Sequence, residues 1–228
     1  MKSMLKQGDC LKLMKEIPDN SIDLIITDPP YELDNHGGGT TNLAQRKLVK
    51  EKHIDFISNG FDYEKCFEEF IRITKKSNFL IFCSNKQISK IMSYFENLKM
   101  STTLLVWQKA NPIPLCNGKY INDSEFIVYV RGKNAPFNNE ADIHLKYKIK
   151  KYPTVSTKLR KHPTEKPISL LEDLIELHSF ENNIILDPFM GSGSTGLACH
   201  NLGRNFVGFE IDEKYFNIAK ERIECLKG

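Results

Sequence analysis

The chain has 228 residues, of which 40% are hydrophobic and 27% are charged, and 32 Lys and Arg against 29 Asp and Glu give a net charge of +3. This length suits one large domain with a full sheet core, so we expect a single domain over residues 1–228. The six cysteines form no C-x-x-C pair and have no histidine at ligand spacing, which argues against a disulfide framework and against a metal site. We expect them to be small buried thiols in a reducing cytoplasm. No apolar run approaches membrane-spanning length, and MKSMLKQGDC has no signal-like apolar core.

Apolar runs alternate with helical patterns along the chain. The predicted strands are SMLKQ near residue 5, IDLIIT (22–27), NFLIFC (78–83), TTLLVWQ (102–108), EFIVYV (125–130), NIILD (183–187) and NFVGFEI (205–211). The predicted helices cover residues 11–17, 61–76, 86–98, 167–179, 194–203 and 213–226. This alternation predicts an α/β fold with a mostly parallel central sheet that helices cover on both faces, and with ligands beyond the carboxyl ends of its strands. The least regular regions, near 32–60 and 131–161, are interpreted as insertions at the binding edge.

A glycine-rich loop follows the predicted strand NIILD, with the spacing Gly191-x-Gly193-x-x-Gly196. Such a loop lets the backbone pass close to a ligand, which could be a dinucleotide or S-adenosylmethionine. Asp187, ahead of the loop, would repel a pyrophosphate but suits the ammonium group of a methionine moiety. Glu210, at the end of the next strand, offers two acceptor oxygens for ribose hydroxyls and fits both cofactors. The charges favour S-adenosylmethionine over NAD, and a tight structural turn is the remaining alternative.

The strand IDLIIT runs into Asp28, Pro29, Pro30 and Tyr31. Because each proline disfavours helical geometry in the residue before it, we expect the strand to continue to Pro30. The Asp28 carboxylate and the Pro29 carbonyl would then be two rigid acceptors that match the two N–H donors of an exocyclic amine. Accepting both hydrogens frees the nitrogen lone pair for methyl transfer, and Tyr31 offers a face on which a flipped base can stack. The alternative is a plain turn with Tyr31 packed on the core.

Four motifs resemble the amino-group DNA methyltransferases: DPPY (28–31), HPTEKP (162–167), LDPFMGSGSTG (186–196) and VGFEID (207–212). Their order, with the catalytic tetrapeptide first and the cofactor loop last, is that of the beta subgroup, and the resemblance extends from Gly8 to about Arg222. It implies a Rossmann-like S-adenosylmethionine-dependent methyltransferase fold with a circularly permuted motif order. Aspartate rather than serine at position 28 resembles the members that modify adenine N6 more than those that modify cytosine N4.

The resemblance also implies roles for individual residues. The catalytic set is Asp28, Pro29, Pro30 and Tyr31. The cofactor-binding set is Asp9, Cys10, Thr164, Lys166, Asp187, Pro188, Phe189, Gly191, Ser192, Gly193, Thr195, Glu210 and Ile211. Within it, Lys166 is expected to meet the cofactor carboxylate, and Asp9 is expected to bind the cofactor's adenine amine. For Asp9 the alternative is a simple cap on the helix 11–17.

The segment 144–166 holds eight Lys or Arg and a single acid, Glu165, interleaved with tyrosines. This pattern indicates a nucleic-acid surface, and a solvated lysine-rich loop is the alternative. The predicted phosphate contacts are Lys146, Lys148, Lys150, Lys151, Lys158, Arg160 and Lys161. The insertion 131–161 stands where relatives carry a target-recognition region, and its roughly thirty residues are few for reading bases.

The favoured hypothesis is a site-specific DNA methyltransferase that moves a methyl group from S-adenosylmethionine to the N6 amine of a flipped-out adenine in duplex DNA. Methylation of the cytosine N4 amine, or of RNA, is the nearest alternative. An NAD-type oxidoreductase and a catalytically silent nucleic-acid-binding subunit represent other classes. Double-stranded DNA is the expected partner, and a second copy of the chain or a companion restriction enzyme is a further candidate.

Overall fold

The computed structural model describes residues 2–30, 61–114, 118, 120–156 and 158–225. The strands in this part of the chain are β1 (Ser3–Gln7), β2 (Leu24–Thr27), β3 (Asn78–Cys83), β4 (Ser101–Lys109), β5 (Ser124–Arg131), β6 (Ile149–Tyr152), β7 (Ile184–Asp187) and β8 (Asn205–Glu210). The helices are α1 (Cys10–Met14), α2 (Tyr63–Ile73), α3 (Ile88–Asn97), α4 (Ile168–His178), α5 (Ser194–Asn201) and α6 (Glu213–Glu224). A short 3-10 helix covers Ile143–Lys146.

All eight strands form one sheet in the order β1-β8-β7-β2-β3-β5-β4-β6. The five strands from β1 to β3 in this order pair in parallel. β5 runs antiparallel to β3 and to β4, and β6 runs parallel to β4. The predicted mostly parallel sheet of a Rossmann-like fold is therefore confirmed. The strand before the glycine loop, β7, lies directly beside the strand before the DPPY motif, β2, although the two are far apart in the chain.

Helices cover both faces of the sheet because its central strands are apolar on both sides. Ile25, Phe79 and Ile81 point into one core cluster, which α1, α2 and α3 complete. Leu24 and Leu80 point into the other cluster, which α4, α5 and α6 complete. Packing on both faces holds the central strands in place, so it also fixes where the loops at the carboxyl edge of the sheet begin.

One expectation about boundaries was wrong. β2 ends at Thr27, not at Pro30. Neither Pro29 nor Pro30 has an N–H to donate to a neighbouring strand, so the ladder cannot be extended through them. The predicted insertion 131–161 contains an edge strand that the sequence did not predict, because residues 149–152 form β6 on β4. The predicted insertion 32–60 and the stacking residue Tyr31 lie outside the described residues.

Candidate active site

Two acidic residues meet at the carboxyl edge of the sheet. Asp187 is the last residue of β7, and Asp28 follows the last residue of its parallel neighbour β2. The Thr27 hydroxyl donates to Asp187 Oδ1 over 2.9 Å, so the two strand ends are joined by a direct hydrogen bond. The negative charge of Asp28 is close enough to contribute to the raised pKa of Asp187. The sheet thus brings together the two motifs that the sequence predicts to form one site.

The Asp187 carboxylate organises the glycine loop. Its Oδ1 also accepts from the Phe189 N–H over 3.1 Å, and its Oδ2 accepts from the Thr195 hydroxyl over 2.6 Å. Burial raises its pKa to about 6, although the hydrogen bonds from Thr195, Phe189 and Thr27 act in the opposite direction. Two of these donors belong to the glycine loop and the third to β2, so Asp187 ties the loop to the end of the neighbouring strand.

The glycine loop has three positions at which the backbone requires glycine. Gly191 and Gly193 have φ of +52° and +83°, a region that side chains disfavour, and Gly193 caps α5. At Gly196 a Cβ would lie 2.4 Å from Ile223 Cδ1, so only glycine lets α5 pack this closely on α6. Pro188 is buried at the start of the loop.

Glu210 lies on the other side of the loop, at the end of β8. Its Oε2 accepts from the Gly191 N–H and its Oε1 from the Asp212 N–H, both over 2.9 Å, and burial raises its pKa. The glycine backbone therefore passes between two carboxylates, Asp187 and Glu210. This donor and acceptor set fits a ligand with a cationic amine and ribose hydroxyls, as S-adenosylmethionine has. Ile211 follows Glu210 and is exposed.

The end of β1 adjoins this region, since the Gly8 N–H donates to the Glu210 carbonyl over 2.9 Å. Asp9 caps α1 by accepting from the Leu11 N–H over 2.9 Å, so the helix-cap interpretation of Asp9 holds in the structure. A cofactor contact by Asp9 stays a prediction. Cys10 is buried, and burial together with the Asp9 charge raises its pKa to about 12, so the thiol is neutral.

The HPTEKP motif is fixed against the glycine loop by an ion pair that the sequence reasoning missed. Glu165 accepts from the Lys161 N–H over 2.6 Å and from the Ser194 hydroxyl over 3.2 Å, and it pairs with Arg222 at 2.9 Å. Arg222 also donates to the carbonyl oxygen of the buried Ser192 over 2.8 Å. The Glu165 carboxylate and Arg222 thereby join the HPTEKP motif, the glycine loop and α6. Thr164 is exposed, and its hydroxyl lies 3.1 Å from His162 Nδ1.

The DPP turn has its own supports, which the sequence reasoning also missed. The Tyr63 hydroxyl donates to the Pro30 carbonyl, and Gln87 Nε2 donates to the Tyr63 oxygen over 3.0 Å. Lys166 donates to Asp28 Oδ2. Among the described residues no donor reaches the buried Asp28 Oδ1. Tyr63 and Lys166 therefore hold the turn at Pro30 and at Asp28 Oδ2. Asp28 Oδ1 accepts no hydrogen bond from the described residues.

Comparisons with known proteins point to one family. A family model of DNA methylases, N6_N4_Mtase, matches residues 22–221. Type II methyltransferase M.HinfI of Haemophilus influenzae is 31% identical over 244 residues, which cover 97% of this chain and 68% of that protein. Type II methyltransferase M2.DpnII of Streptococcus pneumoniae is 31% identical over 248 residues, which cover 98% and 90%. The chain belongs to this DNA methylase family.

Solved structures agree with this membership. The M1.HpyAVI–SAM complex matches the methylase with a TM-score of 0.71 and 29% identity over 96% of this chain and 99% of that one. The PvuII cytosine-N4-specific DNA methyltransferase matches with a TM-score of 0.73 and 15% identity over 99% and 91%, which shows the shared fold. S-adenosylmethionine is the cofactor of the methylase and DNA is its substrate. Membership selects this interpretation over an NAD-type oxidoreductase.

The basic segment of the methylase requires one correction. Lys150 was predicted to contact phosphate, but it is only 3% exposed, and its ammonium donates to the Leu145 carbonyl. Alternation along β6 turns Lys150 inward beside Trp107, its partner on β4, and leaves Ile149 63% exposed. Of the other predicted contacts, Lys146 is half-buried and donates to the Asn139 carbonyl over 2.6 Å. The exposed ones are Lys148, Lys151, Lys158, Arg160 and Lys161.

Two absences hold for the described residues of the methylase. They contain no group of His, Cys, Asp and Glu side chains that could hold a metal ion, and none of their helices is long and apolar enough to cross a membrane. Of the described cysteines, Cys225 is exposed, which corrects the expectation that all are buried, and Cys10, Cys66, Cys83 and Cys199 are buried.

Proposed function

We propose that this methylase transfers the methyl group of S-adenosylmethionine to the exocyclic N6 amine of an adenine flipped out of duplex DNA. The observation that carries the proposal is the meeting of Asp28 and Asp187 at one edge of the sheet, linked through Thr27. Aspartate at position 28 supports adenine over cytosine, because it resembles the adenine-modifying members of the family.

In this proposal the acceptor amine lies against the DPP turn. Asp28 Oδ1, which has no donor among the described residues, accepts one amine hydrogen. The Pro29 carbonyl accepts the other, and together they draw the nitrogen lone pair out of conjugation with the base. Tyr63 fixes the following carbonyl, that of Pro30, and so restrains the turn. Tyr31 is proposed to stack on the flipped base.

The cofactor is proposed to lie along the glycine loop between Asp187 and Glu210. When bound, S-adenosylmethionine supplies an electrophilic methyl group on a positively charged sulfur. Glu210 would hold the ribose, and Asp187 would face the methionine ammonium while it keeps the loop in place. A carboxylate is too weak a base to deprotonate a neutral aromatic amine. The amine would therefore lose its proton, to Asp28 Oδ1 and on to solvent, only after the N–C bond has formed, the S–C bond has broken and the nitrogen carries the positive charge.

DNA contact is proposed for the exposed basic residues around β6 and the HPTEKP motif, namely Lys148, Lys151, Lys158, Arg160 and Lys161. We also propose that the methylase works in the cytoplasm, with a second copy of the chain or a companion restriction enzyme as its partner. Light scattering with and without duplex DNA tests the dimer, and a monomeric mass in both conditions contradicts it. Cleavage of unmethylated DNA by a candidate enzyme, with protection after methylation, tests the companion.

The test of the reaction uses purified protein, methyl-labelled S-adenosylmethionine and unmethylated duplex DNA. After digestion to nucleosides we expect the label in N6-methyldeoxyadenosine, with sequencing of the product DNA to locate the site. Label in N4-methyldeoxycytidine would contradict the adenine assignment. The absence of label in DNA of mixed sequence would favour a catalytically silent subunit. The Asp28→Ala variant controls for contaminating activity.

A further inference from the structure

Lys166 lies on the acceptor side of the site rather than at the glycine loop. It is 7% exposed, and its ammonium donates to Asp28 Oδ2 and, over 3.2 Å, to the Thr164 carbonyl. Glu125, at the start of β5, lies 3.4 Å away through its Oε2. The Phe82 ring lies beneath the ammonium, 5.1 Å from the nitrogen to the ring centroid. The ammonium is thus surrounded by oxygens and an aromatic face of the acceptor half.

The charges around Lys166 explain why a cation is needed there. Asp28, Glu125 and Asp187 place three carboxylates at one edge of the sheet, and two of them contact Lys166. Burial lowers the pKa of Lys166, but the charges of Asp28 and Glu125 outweigh burial, and its pKa is raised. Lys109 pairs with the other oxygen of Glu125 at 3.2 Å, which fixes Glu125 in turn.

We propose that Lys166 is a positioning residue for the acceptor amine: it holds Asp28 Oδ2, so that Oδ1 is left to receive the amine, and Glu125 in turn holds Lys166. The inference rests on the proposed function, because it assigns the cation to the target-base half of that site. The family resemblance instead implies that Lys166 meets the cofactor carboxylate. The two roles predict different responses to removal of the ammonium. The positioning role predicts a lower rate with an unchanged cofactor Kd, whereas the cofactor-carboxylate role predicts a higher Kd.

The experiment compares Lys166→Met and Glu125→Gln with the wild type and with Lys220→Met. Lys220 is an exposed lysine of α6, so its variant controls for the loss of one positive charge. Calorimetric titration measures the Kd for S-adenosylmethionine, and single-turnover methyl transfer at saturating cofactor measures the rate on DNA. Thermal unfolding confirms that each variant folds.

For Lys166→Met we expect a rate at least about 10²-fold lower than the wild type and a cofactor Kd within about threefold. Such a split, with the rate lowered and the Kd unchanged, is expected of a residue that acts on the acceptor half. Glu125→Gln should lower the rate by a smaller factor, because the Lys166 ammonium then loses one of its charged partners. Lys220→Met should match the wild type.

A Lys166→Met rate at saturating cofactor within threefold of the wild type overturns the inference, whatever happens to the Kd. A lowered rate accompanied by a comparable rise in the cofactor Kd also overturns it, since a contact with the cofactor or a merely structural role would give that result. If Lys166→Met does not fold, Glu125→Gln decides the question by the same two criteria. If the wild type methylates DNA and Lys166→Met does so equally well, this inference is wrong and the proposed function stands. A wild type that labels no DNA defeats the proposed function itself.

Discussion

The two halves of the active site are built in different ways. In the cofactor half, two of the three donors to Asp187, Phe189 and Thr195, are two and eight residues further along the chain, and only Thr27 is distant. In the acceptor half, the supports of the DPP turn come from far away: Tyr63 is 33 residues from Pro30, and Lys166 is 138 residues from Asp28. The contacts of Asp187 are therefore more local than those that hold the acceptor turn.

The contrast predicts that damage to each half can be separated kinetically, and Asp28→Ala should give the largest effect. It removes an acceptor for the amine and leaves the cofactor loop untouched, so we expect methyl transfer to fall by about 10²- to 10³-fold. Single-turnover assays measure the rate, and calorimetry should show an unchanged Kd for S-adenosylmethionine. Strong residual turnover would contradict the role of Asp28.

The reciprocal change is Asp187→Ala, which leaves the Phe189 N–H and two hydroxyls without their acceptor. Because the loop then loses the hydrogen bonds from Phe189 and Thr195 to Asp187, we expect the Kd for S-adenosylmethionine to rise at least about tenfold. Asp187→Asn is the matched variant, since it keeps an acceptor oxygen but removes the charge. Asparagine binding as weakly as alanine would assign the effect to the ammonium contact. Unchanged affinity in Asp187→Ala would contradict the prediction.

The raised pKa of Asp187 predicts a pH dependence confined to the cofactor half. This carboxyl titrates near pH 6 in the folded protein against an ordinary value of 3.8, so between these values the folded state binds more protons than the unfolded state. The stability that Asp187 contributes therefore decreases as pH rises through that window. A cationic ligand needs the ionised form, so cofactor affinity should fall about tenfold per pH unit below about 6. Calorimetry at pH 5, 6 and 7.5 checks this, and a flat Kd contradicts it.

In the acceptor half, Tyr63→Phe tests a support that acts only through the backbone. Losing the hydrogen bond to the Pro30 carbonyl should loosen the turn and lower the methyl-transfer rate by about tenfold, the equivalent of about 1.4 kcal/mol. The cofactor Kd should not change. Tyr94→Phe is the matched control, because Tyr94 packs by its ring against Phe67 and Phe95. Equal rates in the two variants would show that the Pro30 contact is dispensable.

The same contrast explains how much the sequence could reveal. The glycine loop, Asp187 and Glu210 could be found because their spacing repeats a local strand–loop–helix geometry. The supports of the acceptor turn could not, because Tyr63, Gln87 and Glu125 carry no signal until the sheet brings β2, β3 and β5 together. Lys166 was noticed, but its pairing with Asp28 was not, since that contact depends on a loop returning over the sheet edge.

The fold itself followed closely from the apolar runs, and the main miss was β6. Its sequence, IKKY, reads as part of a solvated basic segment because three of its four residues are polar or amphipathic. Pairing with β4 places it in the sheet through backbone hydrogen bonds, which charge patterning does not report. Once it is a strand, alternation turns Lys150 inward and Lys151 outward, while Lys148, which precedes the strand, is exposed.

That difference supplies the smallest and most selective prediction. Lys148 is exposed, whereas Lys150 is buried against the Leu145 carbonyl, so only Lys148 is free to release counterions from DNA. Lys148→Met should lower the slope of log affinity against log salt by about one and weaken DNA binding a few-fold at moderate salt. Lys150→Met should leave the slope unchanged and lower the thermal stability instead, because its carbonyl acceptor loses a buried donor. A salt slope that changes for Lys150→Met and not for Lys148→Met would contradict the assignment of the DNA contact to Lys148.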